Sequence, residues 1–386
     1  MFQDAMTIFF SIVFAFWAVR GLDLLIGFLF FVPRLSREPL PEGFPSPPPR
    51  VSVIFAARNE KGKAGPAARS MLAQDHPGLE VIAVDDRSTD GTGDELRAIG
   101  DARLRVLRVD ALPEGWLGKT HALQTGADAS EGEWIVFTDA DVHFAPGAVR
   151  AAVAAAVRRR LDHLTLFPEL DLPGYLEGVF TNYFSSLFNL RFRPYAARFR
   201  RMPAYVGIGA FQLVRREAYR RAGGHAHLRL DIADDMMLGK TLKRSGARSM
   251  LMAGSGLIRV RWVEGWSGVL SSLQKNAFRG IEYSAVLLVL STAAILAADV
   301  APFVGLFAAD GPARVLAAGS VGVLFLLYAA GQRSNRLALL SFPCHPAAAL
   351  LFLFILWRSA LAALTEGGVR WRGTFYRLDE LRRARV

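Results

Sequence analysis

Two carboxylates one residue apart end the apolar run Trp134-Ile135-Val136-Phe137-Thr138, as Asp139-Ala140-Asp141. In an extended chain such side chains leave on the same side. Paired oxygen donors of this kind suit a hard divalent cation, Mg²⁺ or Mn²⁺, which takes one or two protein carboxylates and completes its shell with substrate phosphate oxygens. The alternative is a strand end whose aspartates merely cap the next helix. A second pair, Asp234-Asp235, stands at a helix start in Asp231-Ile232-Ala233-Asp234-Asp235. A third, Asp85-Asp86, closes another apolar run, where two adjacent charges are costly without a partner to bind. Asp90, before Gly91, reads as well as a turn former. Gly118-Lys119-Thr120 has the look of a phosphate loop, but the Walker pattern needs a glycine where the chain has Pro113. Lys119 can still hold a diphosphate, since a positioned ammonium needs no such loop.

These groups need a scaffold, and the sequence spells one out. Strand-like runs at 51–57, 79–85, 103–109 and 133–138 alternate with helical segments at 61–74, 92–99, 118–130 and 146–160. That alternation predicts an α/β fold with a mostly parallel sheet and helices on both faces, binding ligands at the carboxyl ends of its strands. Three strand ends carry the chemistry: Arg58-Asn59-Glu60, Asp85 to Thr92, and Asp139-Ala140-Asp141. A further strand is expected over Ala204–Val214, where Gly207 and Gly209 would let a ligand or another backbone approach closely. His225 and His227 read as solvated residues of a Gly-rich turn, and His121 and His143 as weak ligand candidates. Cys344 is the only cysteine, so there is neither an intramolecular disulfide nor a thiolate metal site.

With 386 residues, 52% hydrophobic, and a mean hydropathy of +0.25, the chain is too apolar for an ordinary soluble enzyme. Residues 7–32 are almost continuously apolar, with Arg20 and Asp23 spaced to pair on one helix face. No cleavage site is evident, so this is a retained anchor. Asp4 before it and Arg34 and Arg37 after it place the N-terminus outside and the next domain in the cytosol. Apolar stretches near 284–308, 313–330 and 345–364 make about four spans of a multi-pass cell-membrane protein. Gln332-Arg333-Ser334-Asn335-Arg336 suits a cytosolic loop, but four crossings would put the basic tail outside, so either one C-terminal stretch is re-entrant or interfacial, or the tail breaks the rule. The aromatic segment Gly174–Phe192, followed by Arg193, Arg198, Arg200 and Arg201, reads as an interfacial helix or else as a core helix of the domain. The net charge of +11 sits largely beside membrane segments, which points to the lipid bilayer and not to nucleic acid. The expected order is an anchor at 1–33, a Pro-rich linker at 34–49, a cytosolic domain at 50–280 with the interfacial segment near 174–201, a membrane region at 281–365 and a basic tail at 366–386.

The series VSVIFAARNE (51–60), VIAVDDRSTDGT (81–92), GWLGKTHAL (115–123), FTDADV (137–142), GIGAFQLVRREAY (207–219) and IADDMMLG (232–239) resembles the inverting family 2 glycosyltransferases of GT-A fold over about residues 50–280. The Asp234-Asp235 variant is similar to that of the hopanoid- and carotenoid-associated and ceramide-glucosyltransferase-like membrane subgroup. The resemblance implies a donor-binding set of Arg58, Glu60, Asp85, Asp86, Lys119 and Asp139, with Glu60, Asp85 and Asp86 at the nucleoside and Lys119 at the diphosphate. It further implies a divalent metal on Asp139 and Asp141, Asp235 as catalytic base, and Gly207, Gly209 and Asp234 on the acceptor side. The donor implied is a nucleotide-diphosphate sugar, a UDP-sugar before others, and the acceptor a membrane lipid hydroxyl. Polymer-forming members carry Gln-x-x-Arg-Trp, whereas here Ile258 stands where the glutamine before Arg261-Trp262 would be. A polyprenyl-phosphate sugar synthase, a polysaccharide synthase and an inactive membrane scaffold are the rival readings.

Overall fold

The computed structural model describes residues 2–38, 46–172, 174–261, 265–331 and 338–384. Residues 39–45 of the expected linker, the basic loop 332–336, Trp262 and Arg385 lie outside the described residues. The chain falls into two units, one of Val32–Asp171 with Pro194–Trp262 and Arg383–Val386, the other of Met1–Phe31 with Leu172–Arg193 and Val263–Arg382.

The first unit contains β1 (Val51–Ala57), β2 (Leu79–Asp86), β3 (Leu104–Val109), β4 (Trp134–Asp139), β5 (His143–Phe144), β6 (His163–Phe167), β7 (Glu169–Leu170), β8 (Gln212–Arg215), β9 (Ser249–Ala253) and β10 (Ile258–Val260). Seven of them form one sheet in the order β3-β2-β1-β4-β8-β6-β9, and β5, β10 and β7 form a small second sheet. β1 to β4 are parallel, whereas β8 runs antiparallel between β4 and β6. β1, β2 and β4 are buried almost throughout, which is why they read as unbroken apolar runs and not as alternating ones. From β1 the chain moves outward through β2 to β3 and then returns to β4 on the other side of β1. This reversal opens a crevice at the strands' carboxyl ends. Register places Ala57 opposite Asp85 and Ala56 opposite Asp139, so the three chemically loaded strand ends lie at one level.

Two segments differ from expectation. Of Ala204–Val214 only the stretch from Gln212 is strand, and the residues before it form a loop. That loop is threaded against the helix Asp234–Arg244 so closely that a Cβ on Gly207 would overlap the Asp235 carbonyl. Residues 33–38, assigned by sequence largely to the linker, dock on the domain instead. The Ala253 N–H donates to the Pro33 carbonyl at 2.9 Å, Leu35 is fully buried, and Glu38 pairs with Arg158 and Arg159. The segment thereby covers the sheet's open edge at β9.

The second unit holds four helices long and apolar enough to cross a membrane, Gln3–Phe31, Ala285–Ala308, Gly311–Gly331 and Ala338–Thr365. Phe10 packs with Ala313 and Ala317, Trp17 packs with Leu324, and the Trp17 indole donates to the Ala298 carbonyl at 2.8 Å. The first helix therefore runs parallel to the third and antiparallel to the second, bringing Phe31, Ala285 and Gly331 to one end. His345 meets Asp299 at 3.0 Å, and the Trp357 indole donates to Thr292 at 3.0 Å. The last helix thus starts level with the middle of Ala285–Ala308 and returns to the end where that helix begins. There the Phe278 N–H donates to Ser359 at 3.2 Å and Arg382 donates to the Tyr283 carbonyl at 2.8 Å. The tail folds as a hairpin of β11 (Gly368–Trp371) and β12 (Thr374–Arg377) at that same end. This contact pattern brings the tail to the end of the unit at which Ala285 stands.

Helix Tyr175–Phe192 belongs to this unit. Tyr183 stacks edge-on against His345, Asn182 donates to Ser341 at 2.9 Å, and Arg193 reaches Asp23 at 2.7 Å. Arg20 and Asp23 do pair, at 3.1 Å.

Candidate active site

The loops after β1 and β2 are laced together before any ligand is considered. The Asn59 N–H donates to Ser88 Oγ at 3.0 Å, the Glu60 N–H to Thr92 Oγ1 at 2.9 Å, and the Thr89 N–H to Asn59 Oδ1 at 2.9 Å. Asp90 accepts from the Lys61 and Thr92 N–H groups, the turn-forming role its position before Gly91 suggests. Asp85 is fully buried and occupied by the Ser88 N–H at 3.0 Å and the Arg108 guanidinium at 3.1 Å, so it holds the loop. Asp86 stands closer to the crevice. Arg87 grips it with two hydrogen bonds, at 2.7 and 3.1 Å, and Arg58 approaches to 3.9 Å. The first residue of helix Gly118–Ala129 crowds the same carboxylate, since a Cβ on Gly118 would overlap Asp86 Oδ2. Adjacent charges at the buried end of β2 are therefore compensated by the protein's own arginines.

Lys119 is brought to the far side of the crevice by a tie that no local pattern announces. The Leu117 N–H and the Thr120 hydroxyl both donate to the Arg229 carbonyl, at 2.7 and 2.9 Å, pinning this helix start to the strand of chain that leads into Asp231–Asp235. The Lys119 ammonium then lies 2.8 Å from Asp139 Oδ1 and 3.4 Å from Asp234 Oδ1. Burial would favour the neutral amine, but Asp139, Asp234 and Asp235 outweigh it and hold the lysine's pKa above its usual range. Burial pushes the Asp234 carboxyl up to about 7 against the pull of Lys119, and raises Asp235 as well. Asp235 is oriented by two backbone donors, with Gly209 N–H at 2.9 Å and Met236 N–H at 2.7 Å. Of the two glycines expected beside the acceptor, Gly209 thus bonds this carboxylate while Gly207 lies against the Asp235 backbone carbonyl, and a Cβ on Gly209 would come within 2.6 Å of Asp139 Oδ2.

Burial, with Asp139 and Glu60 close by, raises the Asp141 carboxyl to about 6. A carboxylate held above its usual pKa by neighbouring carboxylates is short of positive charge, which is the electrostatic condition a divalent cation relieves. Among the described residues no group of three His, Cys, Asp or Glu side chains forms a ready metal cage. Two carboxylates nonetheless fit an Mg²⁺-type ion that draws its other ligands from substrate phosphates and water.

His225 is buried, not solvated as its turn sequence suggested. It bonds the Tyr219 hydroxyl at 2.9 Å, packs edge-on against Phe137, and is driven down to about 3 by burial and then by Lys119. His227 and His143 are exposed, and His121 packs edge-on against Trp116. Glu60's nearness to Asp141 and Arg87's grip on Asp86 are the features sequence reasoning did not assign. Arg87 has a positive φ of 57°, unusual for a side-chain-bearing residue, and no sequence signal marks it.

Residues 52–223 match the family model for Glycosyl transferase family 2. The chain is 26% identical over 265 residues to 4,4'-diaponeurosporenoate glycosyltransferase of Staphylococcus haemolyticus, covering 65% of this chain and 68% of that one. It is 32% identical over 131 residues to beta-monoglucosyldiacylglycerol synthase of Nostoc sp., 33% of this chain and 26% of the relative. The solved structure of mannosyltransferase PcManGT from Pyrobaculum calidifontis, in complex with GDP-Man and Mn²⁺, aligns with a TM-score of 0.54 at 18% identity, covering 94% of this chain and 99% of that one. At that identity the likeness is one of fold, and it agrees with the mostly parallel sheet of the GT-A class.

Proposed function

The domain spanning residues 52–223 belongs to glycosyl transferase family 2, and from that premise we propose that this glycosyltransferase moves a single sugar from a nucleotide-diphosphate sugar to a hydroxyl group of a membrane lipid. The observation that carries the reading is the convergence, at one end of the sheet, of Asp139 and Asp141 with Lys119 and with the two-donor-oriented Asp235. Inverting transfer needs two things at once. The charge developing on the departing diphosphate must be met, and a proton must be taken from the attacking hydroxyl. A divalent cation held by Asp139 and Asp141 would neutralise the leaving charge. Lys119 lies beside them and supplies a further positive charge for the diphosphate. Glu60 and Asp86, with Arg58 and Arg87, line the nucleoside side, while Asp85 fixes their loop from below. Asp235 is the base. Its two backbone donors fix the carboxylate's aim, and burial raises its basicity above that of a solvated aspartate.

The lipid acceptor is supported by the relatives, one of which is named for a glucosyldiacylglycerol product, and by the apolar helices that tether the domain. Arg34 and Arg37 at the end of the first helix support a cytosolic domain, where nucleotide sugars would be at hand. The test incubates the membrane-embedded protein with a panel of labelled UDP- and GDP-sugars and a total lipid extract. One label should pass into the organic phase. If every label remains in water while the protein still hydrolyses or consumes a donor, the lipid acceptor is wrong.

A further inference from the structure

We propose that Lys119 is a resident counter-cation that occupies Asp139 until a donor arrives, so that divalent metal and nucleotide diphosphate bind cooperatively and the metal binds poorly alone. The inference rests on the functional reading above and deepens it.

The ammonium lies 2.8 Å from Asp139 Oδ1, on the carboxylate the cation would need, and 3.4 Å from Asp234 Oδ1. The other oxygen of Asp139 faces Gly209, near enough for a Cβ there to approach it to 2.6 Å. Both oxygens of Asp139 therefore have neighbours. The lysine sits between an open and a closed carboxylate: the Asp139 side chain is 41% exposed to the crevice, that of Lys119 22%, and that of Asp234 only 6%. The lysine's root is fixed as well, through the bonds from Leu117 and Thr120 to the Arg229 carbonyl.

A divalent ion entering alone must displace the ammonium and leave it, with Asp234, to find new partners in a half-buried site. A nucleotide diphosphate changes that balance, since its oxygens give the ammonium another anion. Asp139 is then released to join Asp141. The coupling is reciprocal by thermodynamic necessity, so metal must strengthen nucleotide binding by the same factor that nucleotide strengthens metal binding. A factor of roughly 5 to 150 is typical of such coupling.

The experiment titrates Mn²⁺ into the full-length protein in lipid nanodiscs and follows free Mn²⁺ by electron paramagnetic resonance, with and without UDP or GDP. In the wild type, nucleotide should tighten Mn²⁺ binding by at least about fivefold. Lys119→Met should bind Mn²⁺ at least about fivefold more tightly than wild type without nucleotide, and lose most of the nucleotide-dependent gain. Lys119→Arg, which keeps the charge, should retain weak binding in the absence of nucleotide, and the melting curves of both variants are recorded to check that the helix start tolerates substitution. Mn²⁺ binding to Lys119→Met that is no tighter than wild type, while Asp141→Asn abolishes binding in both, would overturn the counter-cation role and leave the metal site intact. Mn²⁺ binding indifferent to Asp141→Asn would overturn the metal site, and the counter-cation role with it.

Discussion

Replacing Asp141 by Asn should make the protein more stable while destroying its activity. Burial together with Asp139 and Glu60 holds the Asp141 carboxyl at about 6, against 3.8 for the free group. A rise of two units corresponds to about 3 kcal/mol of penalty for the ionised form. The folded pKa lies above the unfolded one, so between about pH 4 and 6 the folded protein keeps a proton that the unfolded chain has lost. Stability therefore falls as pH rises through that window, and above it the whole penalty is in force. Asn carries no charge to be penalised, so Asp141→Asn should gain up to about 3 kcal/mol at pH 7.5 in chelator, with the gain shrinking toward pH 5. For a domain of this size that is roughly 6 to 12 °C in melting temperature. Thermal melts of the purified full chain at several pH values, with and without Mn²⁺ plus UDP, give the numbers directly. Wild type should recover stability when the cation and nucleotide are supplied, and Asp141→Asn should not. A destabilised variant, or a gain independent of pH, would refute the idea that this carboxylate is held against its own charge for a cation to relieve.

Three further outcomes are expected. Asp235→Asn should lower transfer by about 10² to 10⁴-fold with donor binding little changed, because a hydroxyl acceptor must lose its proton as the bond forms; Asp234→Asn should be milder. Near-normal turnover of Asp235→Asn with intact donor binding would favour a phosphate acceptor, which is already ionised. A cysteine at Glu217, exposed on its short helix, should react with an impermeant reagent only after permeabilisation when introduced into a Cys344→Ser background, and a cysteine at Glu380 in the tail should behave identically. Labelling of the tail alone in intact cells would contradict the return of the last helix. Product analysis over time should find one sugar per lipid, whereas a lengthening ladder would restore a polysaccharide synthase.

The parts of the site that could be read from sequence are those where an unbroken apolar run stops at a charge. β1, β2 and β4 announce themselves in this way because parallel central strands are buried on both faces, and each delivers its polar residues to the same sheet end. What stayed hidden depends on contacts between distant residues. Asp85 and Asp86 looked short of a partner, but Arg108 and Arg87 supply one, and only Arg87 is adjacent in sequence. Lys119 reaches Asp234 through the Arg229 carbonyl, a backbone acceptor that any residue type would provide equally. His225 looked like a turn residue because its glycines dominate the pattern, yet the Tyr219 hydroxyl and Phe137 ring draw it inside.

The membrane unit shows the same limit on a larger scale. Hydropathy measures whether a helix is apolar enough to sit in a bilayer, not where its ends lie, so counting spans assigned the tail to the side its arginines disfavour. The contacts of individual residues show where those ends stand within the unit. Asp299 with His345 and Thr292 with Trp357 fix the last helix antiparallel to Ala285–Ala308, and Arg382 on the Tyr283 carbonyl closes the tail against the start of that helix. Phe31 and Ala285 stand at this same end, so Arg370, Arg372, Arg377 and Arg382 lie at the end where the first helix finishes. The buried pair at the start of the last helix, His345 with Asp299, is joined by the Tyr328 hydroxyl, which shares a hydrogen bond with the other ring nitrogen at 2.9 Å. An ionisable group within an apolar bundle is expensive unless its hydrogen bonds are met. Here that requirement is what specifies where the returning helix begins.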